Sequence, residues 1–228
     1  MQRSAHPSRN GFGSTLEEIT AYEPSGPLTS NLPSEPDHLV QPKSATGYKS
    51  NAVQSWNRVL VADILPVSVN GINYNQILVE SNLDKITELL SRCFPRQYQS
   101  YINSYFALYP NSTCLQATRG NLMIGCVVFK LEELRKSHLQ GSIAYLAVDK
   151  TSRNQKVGSN LLRRAIRTLE NEGVQEVILY TEVNNLPSLR LYGKFGFFQK
   201  KRIPGYYPTG VDAFQLKLVL QPLRYLRR

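Results

Sequence analysis

Apolar residues recur at the spacing of an α-helix in two long stretches of the chain. The first comprises Leu83, Ile86, Leu89 and Leu90. Pro95 follows it and predicts its end, because the residue before a proline avoids the helical conformation. A stronger stripe runs over Val157–Leu169, and its other side carries Arg163, Arg164 and Arg167. Both patterns predict amphipathic helices with one face against a core.

Two shorter segments also predict helices. Tyr98–Tyr109 is followed by Pro110, which stops a helix. Pro187–Phe195 begins with a proline, which suits the first helical turn, and is followed by Gly196, a common terminator.

The residue pattern predicts β-strands in six segments. They are Ile77–Val79, Thr113–Thr118, Gly125–Leu131, Ser142–Val148, Val177–Val183 and Asp212–Leu220. Ser142–Val148 is nearly continuously apolar, which is typical of a strand buried on both faces. The expected order is strand, two helices, three strands, helix, strand, helix, strand. This order predicts a mixed α/β domain of roughly 160 residues.

The N-terminal part has a different composition. It is rich in Ser, Pro, Asn and Gly, with six of the thirteen prolines before Lys43. We interpret residues 1–60 as a disordered head and 61–228 as the domain, with order beginning near Trp56–Asp63. Residues 1–30 lack the apolar core of a signal peptide, and Arg3 and Arg9 only faintly resemble a mitochondrial transit peptide. No stretch approaches the ~20 apolar residues of a membrane span, so we expect a cytoplasmic protein without a membrane partner.

The three cysteines, Cys93, Cys114 and Cys126, lack the spacing of metal ligands. Cys114 and Cys126 lie in apolar, strand-like segments. We interpret them as buried free thiols of a reduced protein, and we expect no metal.

The net charge of +10 belongs to the predicted domain. Residues 1–63 contain 5 Lys/Arg and 6 Asp/Glu (net −1), whereas residues 64–228 contain 22 and 11 (net +11). Such a field favours polyanions, including nucleotide-like cofactors and ribosomal RNA. No recognition helix or RNP-like pattern appears, so sequence-specific nucleic-acid binding is not expected.

A candidate phosphate site lies where the strand ending at Val148 passes through a polar turn into the helix that begins near Val157. The first N–H groups of a helix and its dipole favour an anion. Gly158 allows close approach of a ligand to the backbone, and Arg153 and Lys156 add positive charge. A solvated basic turn is the alternative interpretation.

Arg153–Gly158 resembles the coenzyme A pattern of the GNAT superfamily, Gln/Arg-x-x-Gly-x-Gly/Ala, except that Lys156 replaces the first glycine. The resemblance implies a GNAT fold, with a mixed, mostly antiparallel sheet, a splayed strand pair and flanking helices, and acetyl-CoA as co-substrate. The implied cofactor-binding residues are Leu146, Ala147, Val148, Arg153, Asn154, Gln155, Lys156, Val157, Gly158, Ser159, Asn185 and Tyr192. A left-handed backbone at Lys156 would cost about 1 kcal/mol or more, so we expect binding to be retained but weakened if that conformation is required.

The stretch Tyr180–Phe197 resembles the strand–Asn–helix–Tyr–Gly-Phe signature of the same superfamily. By this resemblance, Asn185 bonds to the cofactor arm and Tyr192 lies beside the thioester sulfur. A phenol there can donate a proton to the departing thiolate. The alternative is that Tyr192 is a core residue.

Within the superfamily, the chain resembles N-terminal acetyltransferase catalytic subunits. Lys201–Leu218 is similar to the NatC type, whereas Phe94–Tyr98 is more similar to the Phe-Pro-x-x-Tyr loop of the NatE type. Both types imply substrates that begin with Met and a hydrophobic residue. The implied partners are nascent polypeptide N-termini, auxiliary acetyltransferase subunits and the ribosome.

An apolar slot for the substrate is expected from Phe94, Pro95, Tyr98, Tyr145, Tyr206 and Tyr207. These residues could equally be loop anchors. The resemblance implies that Tyr180 stands at the NatC-type base position, where that type has Glu, so Tyr180 and Glu182 join Tyr192 as candidate catalytic residues. Glu182, two residues on and on the same strand face, is our candidate base acting through water. A structural role for Glu182 is the alternative.

Two other functions compete with this interpretation. One is a weakly active or inactive GNAT-fold subunit that docks in a ribosome-associated complex, suggested by Lys156, Arg96 and Tyr180, which depart from the relatives' patterns. The other is an acetyltransferase for lysine side chains or small amines.

Overall fold

The computed structural model describes residues 66–135 and 138–220. The predicted head, residues 1–60, and the expected start of order at Trp56–Asp63 lie outside the described residues. The predicted division at residue 60 therefore stays a prediction.

The described residues form an eight-stranded sheet in the order β1-β2-β3-β4-β5-β6-β8-β7. The strands are β1 (Val67–Val69), β2 (Ile72–Leu78), β3 (Thr113–Arg119), β4 (Leu122–Arg135), β5 (His138–Val148), β6 (Glu176–Glu182), β7 (Phe198–Ile203) and β8 (Ala213–Val219). Every neighbouring pair is antiparallel except β5 and β6. The predicted mixed, mostly antiparallel sheet is confirmed.

Four α-helices in the described part of the chain flank the sheet. They are α1 (Val79–Cys93), α2 (Gln99–Leu108), α3 (Val157–Asn171) and α4 (Leu186–Lys194), and a 3₁₀ turn at Arg96–Tyr98 precedes α2. All four were predicted, because each has an apolar stripe or clear terminator residues. A second 3₁₀ turn, Lys150–Ser152, leads from β5 towards α3.

Two strands of the described residues were not predicted, and β2, β4 and β5 were each predicted at least four residues too short. β7 is an edge strand of mostly exposed, charged residues, Phe-Gln-Lys-Lys-Arg-Ile, which carry no alternating apolar signal. β1 has only three residues. β4 and β5 extend beyond their predicted segments into the polar residues 132–135 and 138–140, where the two strands pair with each other.

The sheet separates two apolar cores. Because side chains alternate along a strand, successive residues point into opposite cores. On one face, α1 and α2 contribute Val79, Ile86, Leu89, Leu90, Ile102 and Phe106. On the other face, α3 contributes Val157, Leu161, Leu162, Ala165, Ile166 and Leu169, and α4 adds Tyr192. We call these the α1/α2 face and the α3 face.

One residue of β5 interrupts this alternation. Ile143 pairs with Phe129 and Tyr145 pairs with Val128, so Ala144 is an extra residue, a β-bulge. Ile143 consequently faces the α3 core, whereas Tyr145 faces the α1/α2 core. The pairing of β5 with β6 ends at Ile143, and within the described sheet the two strands then diverge. The expected splayed strand pair is thus confirmed.

The divergence also corrects the expectation that Ser142–Val148 is buried on both faces. Only Ile143 and Ala147 are buried in this segment, and the other residues are partly exposed. The reason is that β6 no longer covers this edge of β5.

The cysteine prediction is confirmed for two of the three residues. All three are free thiols, and Cys114 and Cys126 are buried. Cys93 is only half-buried because it is the last residue of α1. Burial and the neighbouring Cys126 raise the pKa of the Cys93 thiol. No helix among residues 66–135 and 138–220 is both long and apolar enough to cross a membrane.

Gly141 allows α3 to pack closely on β5. A Cβ there would lie 2.7 Å from Leu169 Cδ1. We therefore expect Gly141→Ala to lower the free energy of unfolding by about 1–3 kcal/mol, as overpacking does. Chemical denaturation measures this, with Gly193→Ala as the matched control. Gly193 lies in α4, and among the described residues no atom lies within 4 Å of the position that its Cβ would take, so alanine there should be neutral or stabilising. Equal effects of the two changes would contradict the packing argument.

Candidate active site

The diverging strands leave backbone groups of β5 open. Asp149 N–H donates to Ile124 O of β4 at 2.9 Å. In an antiparallel pair, alternate residues point towards the partner, so Ala147 also bonds to β4, whereas Leu146 and Val148 point into the gap. Of the three predicted backbone sites, two therefore face the opening and one belongs to the ladder.

The N-terminus of α3 lies at the end of this gap. Lys156 is its N-cap, with φ 61° and ψ 11°, and among the described residues no side chain caps the helix. The first intrahelical donor is Asn160 N–H, which bonds to Lys156 O at 2.9 Å. The free N–H groups and the dipole of this helix end favour an anion. The first turn contains no acidic residue that would compete for them.

Gly158 lies between the gap and α4. A Cβ at Gly158 would be 3.5 Å from Val148 Cγ2 and 3.7 Å from Leu191 Cδ2, which are ordinary contacts. The protein's own packing therefore does not require glycine here. Because Gly158 has no side chain, the backbone of the first turn of α3 stays accessible, as binding of a pyrophosphate would require.

Side chains of the polar turn are partly held by neighbours. Arg153 Nε donates to Val148 O at 3.2 Å, so two predicted cofactor-binding residues contact each other. Gln155 Oε1 accepts from Arg119 Nη2 at 2.6 Å. Arg119 was not predicted as a site residue, because no sequence pattern indicates that the end of β3 lies beside this turn. Asn154 and Lys156 are exposed, and both have a left-handed backbone with φ 61°.

Asn185 and Tyr192 are positioned by α4. Asn185 is the N-cap, and its side-chain oxygen accepts from Ser188 N–H at 3.2 Å. Tyr192 is 7% exposed, and its ring lies 5.7 Å from that of Phe197. Burial raises the pKa of Tyr192 well above its usual range, so the phenol holds its proton at neutral pH. A protonated phenol is the form that a general acid requires.

The predicted slot residues form one continuous set of aromatic contacts on the α1/α2 face. Ring centroids are separated by 6.0 Å for Tyr145–Phe94, 6.3 Å for Phe94–Tyr98, 5.7 Å for Tyr98–Tyr207 and 5.0 Å for Tyr207–Tyr206. Pro95 is exposed, and its carbonyl accepts from Tyr98 N–H at 3.0 Å. We call this set the aromatic slot.

Burial raises the pKa values of the slot phenols. That of Tyr206 reaches about 12, and those of Tyr98, Tyr145 and Tyr207 rise as well. Tyr192 contributes to the pKa of Tyr207, so the buried phenol of α4 lies within electrostatic range of the slot. The phenols of this set are therefore neutral at pH 7.

Tyr180 and Glu182 share the face of β6 that borders the slot, as the alternating burial of that strand indicates. The Tyr180 hydroxyl accepts from Gln215 Nε2 at 2.5 Å, and its ring stacks on Tyr206 at 5.0 Å and 9°. Glu182 Oε1 instead accepts a hydrogen bond from the Tyr98 hydroxyl. Tyr180 is therefore a wall of the slot, and Glu182 is the carboxylate beside it. Gln215 was not singled out in the sequence.

No group of three or more His, Cys, Asp or Glu within the described ranges is arranged to hold a metal ion. The gap and the uncapped helix offer backbone N–H groups and cationic side chains. This donor set fits an extended amide-containing arm that ends in phosphates.

Comparison with known proteins identifies the family. The chain matches the model of the Acetyltransferase (GNAT) family over residues 83–197. N-alpha-acetyltransferase MAK3 of Arabidopsis thaliana is 34% identical over 148 residues, which are 65% of this chain and 77% of that protein. N-alpha-acetyltransferase 30 of Homo sapiens is 34% identical over 159 residues, which are 70% of this chain and 44% of that protein. The chain thus spans less than half the length of its human relative.

A solved structure shares the fold. The crystal structure of the NatC complex bound to Gag peptide and CoA contains a chain 32% identical to this one. The TM-score is 0.58, and the match covers 66% of this chain and 99% of that chain. The chain belongs to the GNAT acetyltransferase family.

Replacing Lys156 by glycine tests the left-handed cap. We expect Lys156→Gly to raise the free energy of unfolding by about 0.5–1 kcal/mol, because relief of left-handed strain, about 1–2 kcal/mol, exceeds the added entropy of the unfolded chain. Chemical denaturation measures the change. Asn154→Gly is the control at the same φ, and its gain should be smaller because asparagine tolerates this conformation. A destabilised Lys156→Gly protein would contradict the strain argument.

Proposed function

We propose that this protein transfers the acetyl group of acetyl-CoA to the N-terminal α-amine of polypeptides, chiefly those that begin with Met and a hydrophobic residue. The observation that carries the proposal is the gap between β5 and β6, where Leu146 and Val148 face no strand of the described sheet and lead to the uncapped N-terminus of α3. The aromatic slot lies on the α1/α2 face and contacts both strands, through Tyr145 of β5 and Glu182 of β6. A cofactor arm and a peptide N-terminus could thus approach each other from two sides of the sheet.

The chemistry is a direct attack of an amine on a thioester, and acetyl-CoA supplies the activated acetyl group. A protein α-amine has a pKa near 7.7–8.0, so roughly a tenth is neutral at pH 7 and deprotonation costs only about 1–1.5 kcal/mol. Glu182 accepts this proton through water. Tyr192, buried and protonated, donates a proton to the departing thiolate.

The acceptor follows from the same argument. A lysine side chain, with a pKa near 10.4, would need roughly 4–5 kcal/mol for deprotonation at pH 7. The loop between β7 and β8 contributes Tyr206 and Tyr207 to the slot, where their rings would crowd a lysine in the middle of a chain. These features favour an α-amine over lysine or small amines. The apolar wall favours a hydrophobic side chain after the initiator Met.

We further propose that the enzyme acts in the cytoplasm on nascent chains, with auxiliary subunits and the ribosome as partners. The similar NatC structure is described as a complex bound to a peptide and CoA, which supports an assembly of this kind. The net charge of +11 over residues 64–228 suits contact with ribosomal RNA.

A second candidate is a docking subunit with little or no activity. The observation in its favour is Tyr180, which occupies the position of the relatives' base and is held by Gln215 and Tyr206. Cofactor binding separates the two candidates, because an enzyme needs acetyl-CoA and a docking subunit does not.

Calorimetry of the purified chain with acetyl-CoA, followed by addition of a peptide beginning Met-Leu, tests the proposal. We expect micromolar binding and acetylation of the peptide α-amine, detected by mass spectrometry. A folded chain that fails to bind millimolar acetyl-CoA, both alone and with auxiliary subunits, would establish the docking subunit instead.

Removal of one hydroxyl tests the general acid. We expect Tyr192→Phe to lower turnover about 100-fold or more, as loss of general acid catalysis does, with little change in the affinity for acetyl-CoA. Steady-state kinetics and calorimetry provide the two values. Tyr101→Phe removes a hydroxyl from α2, outside the site, and should leave turnover unchanged. Turnover of Tyr192→Phe within threefold of wild type would refute the assignment.

A further inference from the structure

We propose that Tyr98 is a positioning residue for Glu182: its phenol holds the Glu182 carboxylate at the boundary between the aromatic slot and the β5–β6 gap. This inference rests on the proposed function and specifies how its base is oriented. The proton passes from the substrate ammonium through water to the free oxygen of Glu182, which leaves a neutral amine for attack. Tyr98 itself neither gains nor loses a proton.

The Tyr98 hydroxyl is held in place by its own surroundings. Tyr98 is the last residue of the 3₁₀ turn after α1 and is 9% exposed. Its ring contacts Phe94 at 6.3 Å and Tyr207 at 5.7 Å. Thr209 of the β7–β8 loop forms a hydrogen bond with the same phenol and lowers its pKa. Burial raises that pKa by more, so the net change is upwards. The ring therefore has little freedom, and its hydroxyl marks a fixed point.

Glu182 has fewer constraints. It is the last residue of β6, partly exposed, and its Oε1 accepts from the Tyr98 hydroxyl across 84 residues of sequence. Within residues 66–135 and 138–220, no Lys, Arg or His nitrogen forms an ion pair with it. One oxygen is thus oriented by a phenol, and no cation in that part of the chain neutralises the carboxylate. This combination leaves the second oxygen available to accept a proton.

Tyr180, the other candidate on β6, lacks this arrangement. Tyr180 is held by Gln215 and stacked on Tyr206, so its hydroxyl serves the wall of the slot. Glu182, two residues further along the strand, is therefore the carboxylate that β6 offers beside the slot. A hydrogen bond from the 3₁₀ turn then orients this carboxylate.

A double-mutant cycle distinguishes positioning from simple packing. Tyr98→Phe retains the ring and removes only the hydroxyl, and Glu182→Gln removes the base. We expect Tyr98→Phe to lower kcat about tenfold in the wild-type background, as loss of one hydrogen bond to a charged group does, and less than twofold in the Glu182→Gln background. KM for a Met-Leu peptide and the Kd for acetyl-CoA should stay within about twofold of wild type. Tyr145→Phe is the control, and its effect should be the same in both backgrounds.

Glu182→Asp gives a second test that leaves the aromatic slot intact. It withdraws the carboxylate by one methylene group, so kcat should fall about tenfold and Tyr98→Phe should then have no further effect. Equal losses from Tyr98→Phe in all backgrounds, or a change confined to KM, would overturn the positioning role while leaving the proposed function intact. A wild-type chain that binds acetyl-CoA but does not acetylate the peptide would overturn both.

Discussion

The β-bulge at Ala144 is the constraint on which the site depends. It adds one residue to β5, so the strand can no longer follow β6 beyond Ile143. It also turns Tyr145 towards the α1/α2 face and leaves the backbone of Leu146 and Val148 without a strand partner in the described sheet. Unpaired backbone groups are costly unless water or a ligand satisfies them. The same bulge therefore opens the gap and prepares it for a polar ligand.

The rest of the site is arranged around this gap. The uncapped N-terminus of α3 lies at one end, and the aromatic slot lies on the α1/α2 face. Tyr192 belongs to the core on the α3 face, yet it is within electrostatic range of Tyr207 in the slot. A ligand between β5 and β6 could thus meet groups from both faces of the sheet. Lys156, which departs from the expected coenzyme A pattern, caps α3 with a left-handed backbone, and Tyr180 is held by Gln215 and Tyr206.

The sequence predicted the elements whose signals are local. α1 and α3 carry strong apolar stripes, and the turn before α3 resembles a family pattern, so their positions could be expected. β7 could not, because an exposed edge strand needs no apolar alternation. The contacts of Arg119 with Gln155 and of Tyr98 with Glu182 join residues 36 and 84 positions apart, and only the tertiary fold brings them together. The roles of the site residues in catalysis remain predictions that rest on this geometry.

Amide hydrogen exchange at three consecutive residues of β5 tests the central claim most directly. Without ligand, the N–H groups of Leu146 and Val148 should exchange quickly, whereas that of Ala147, bonded to β4, should be protected. Acetyl-CoA should protect Leu146 and Val148 and leave Ala147 unchanged. Equal protection of all three amides, unaffected by acetyl-CoA, would contradict the claim that the gap between β5 and β6 receives the cofactor arm.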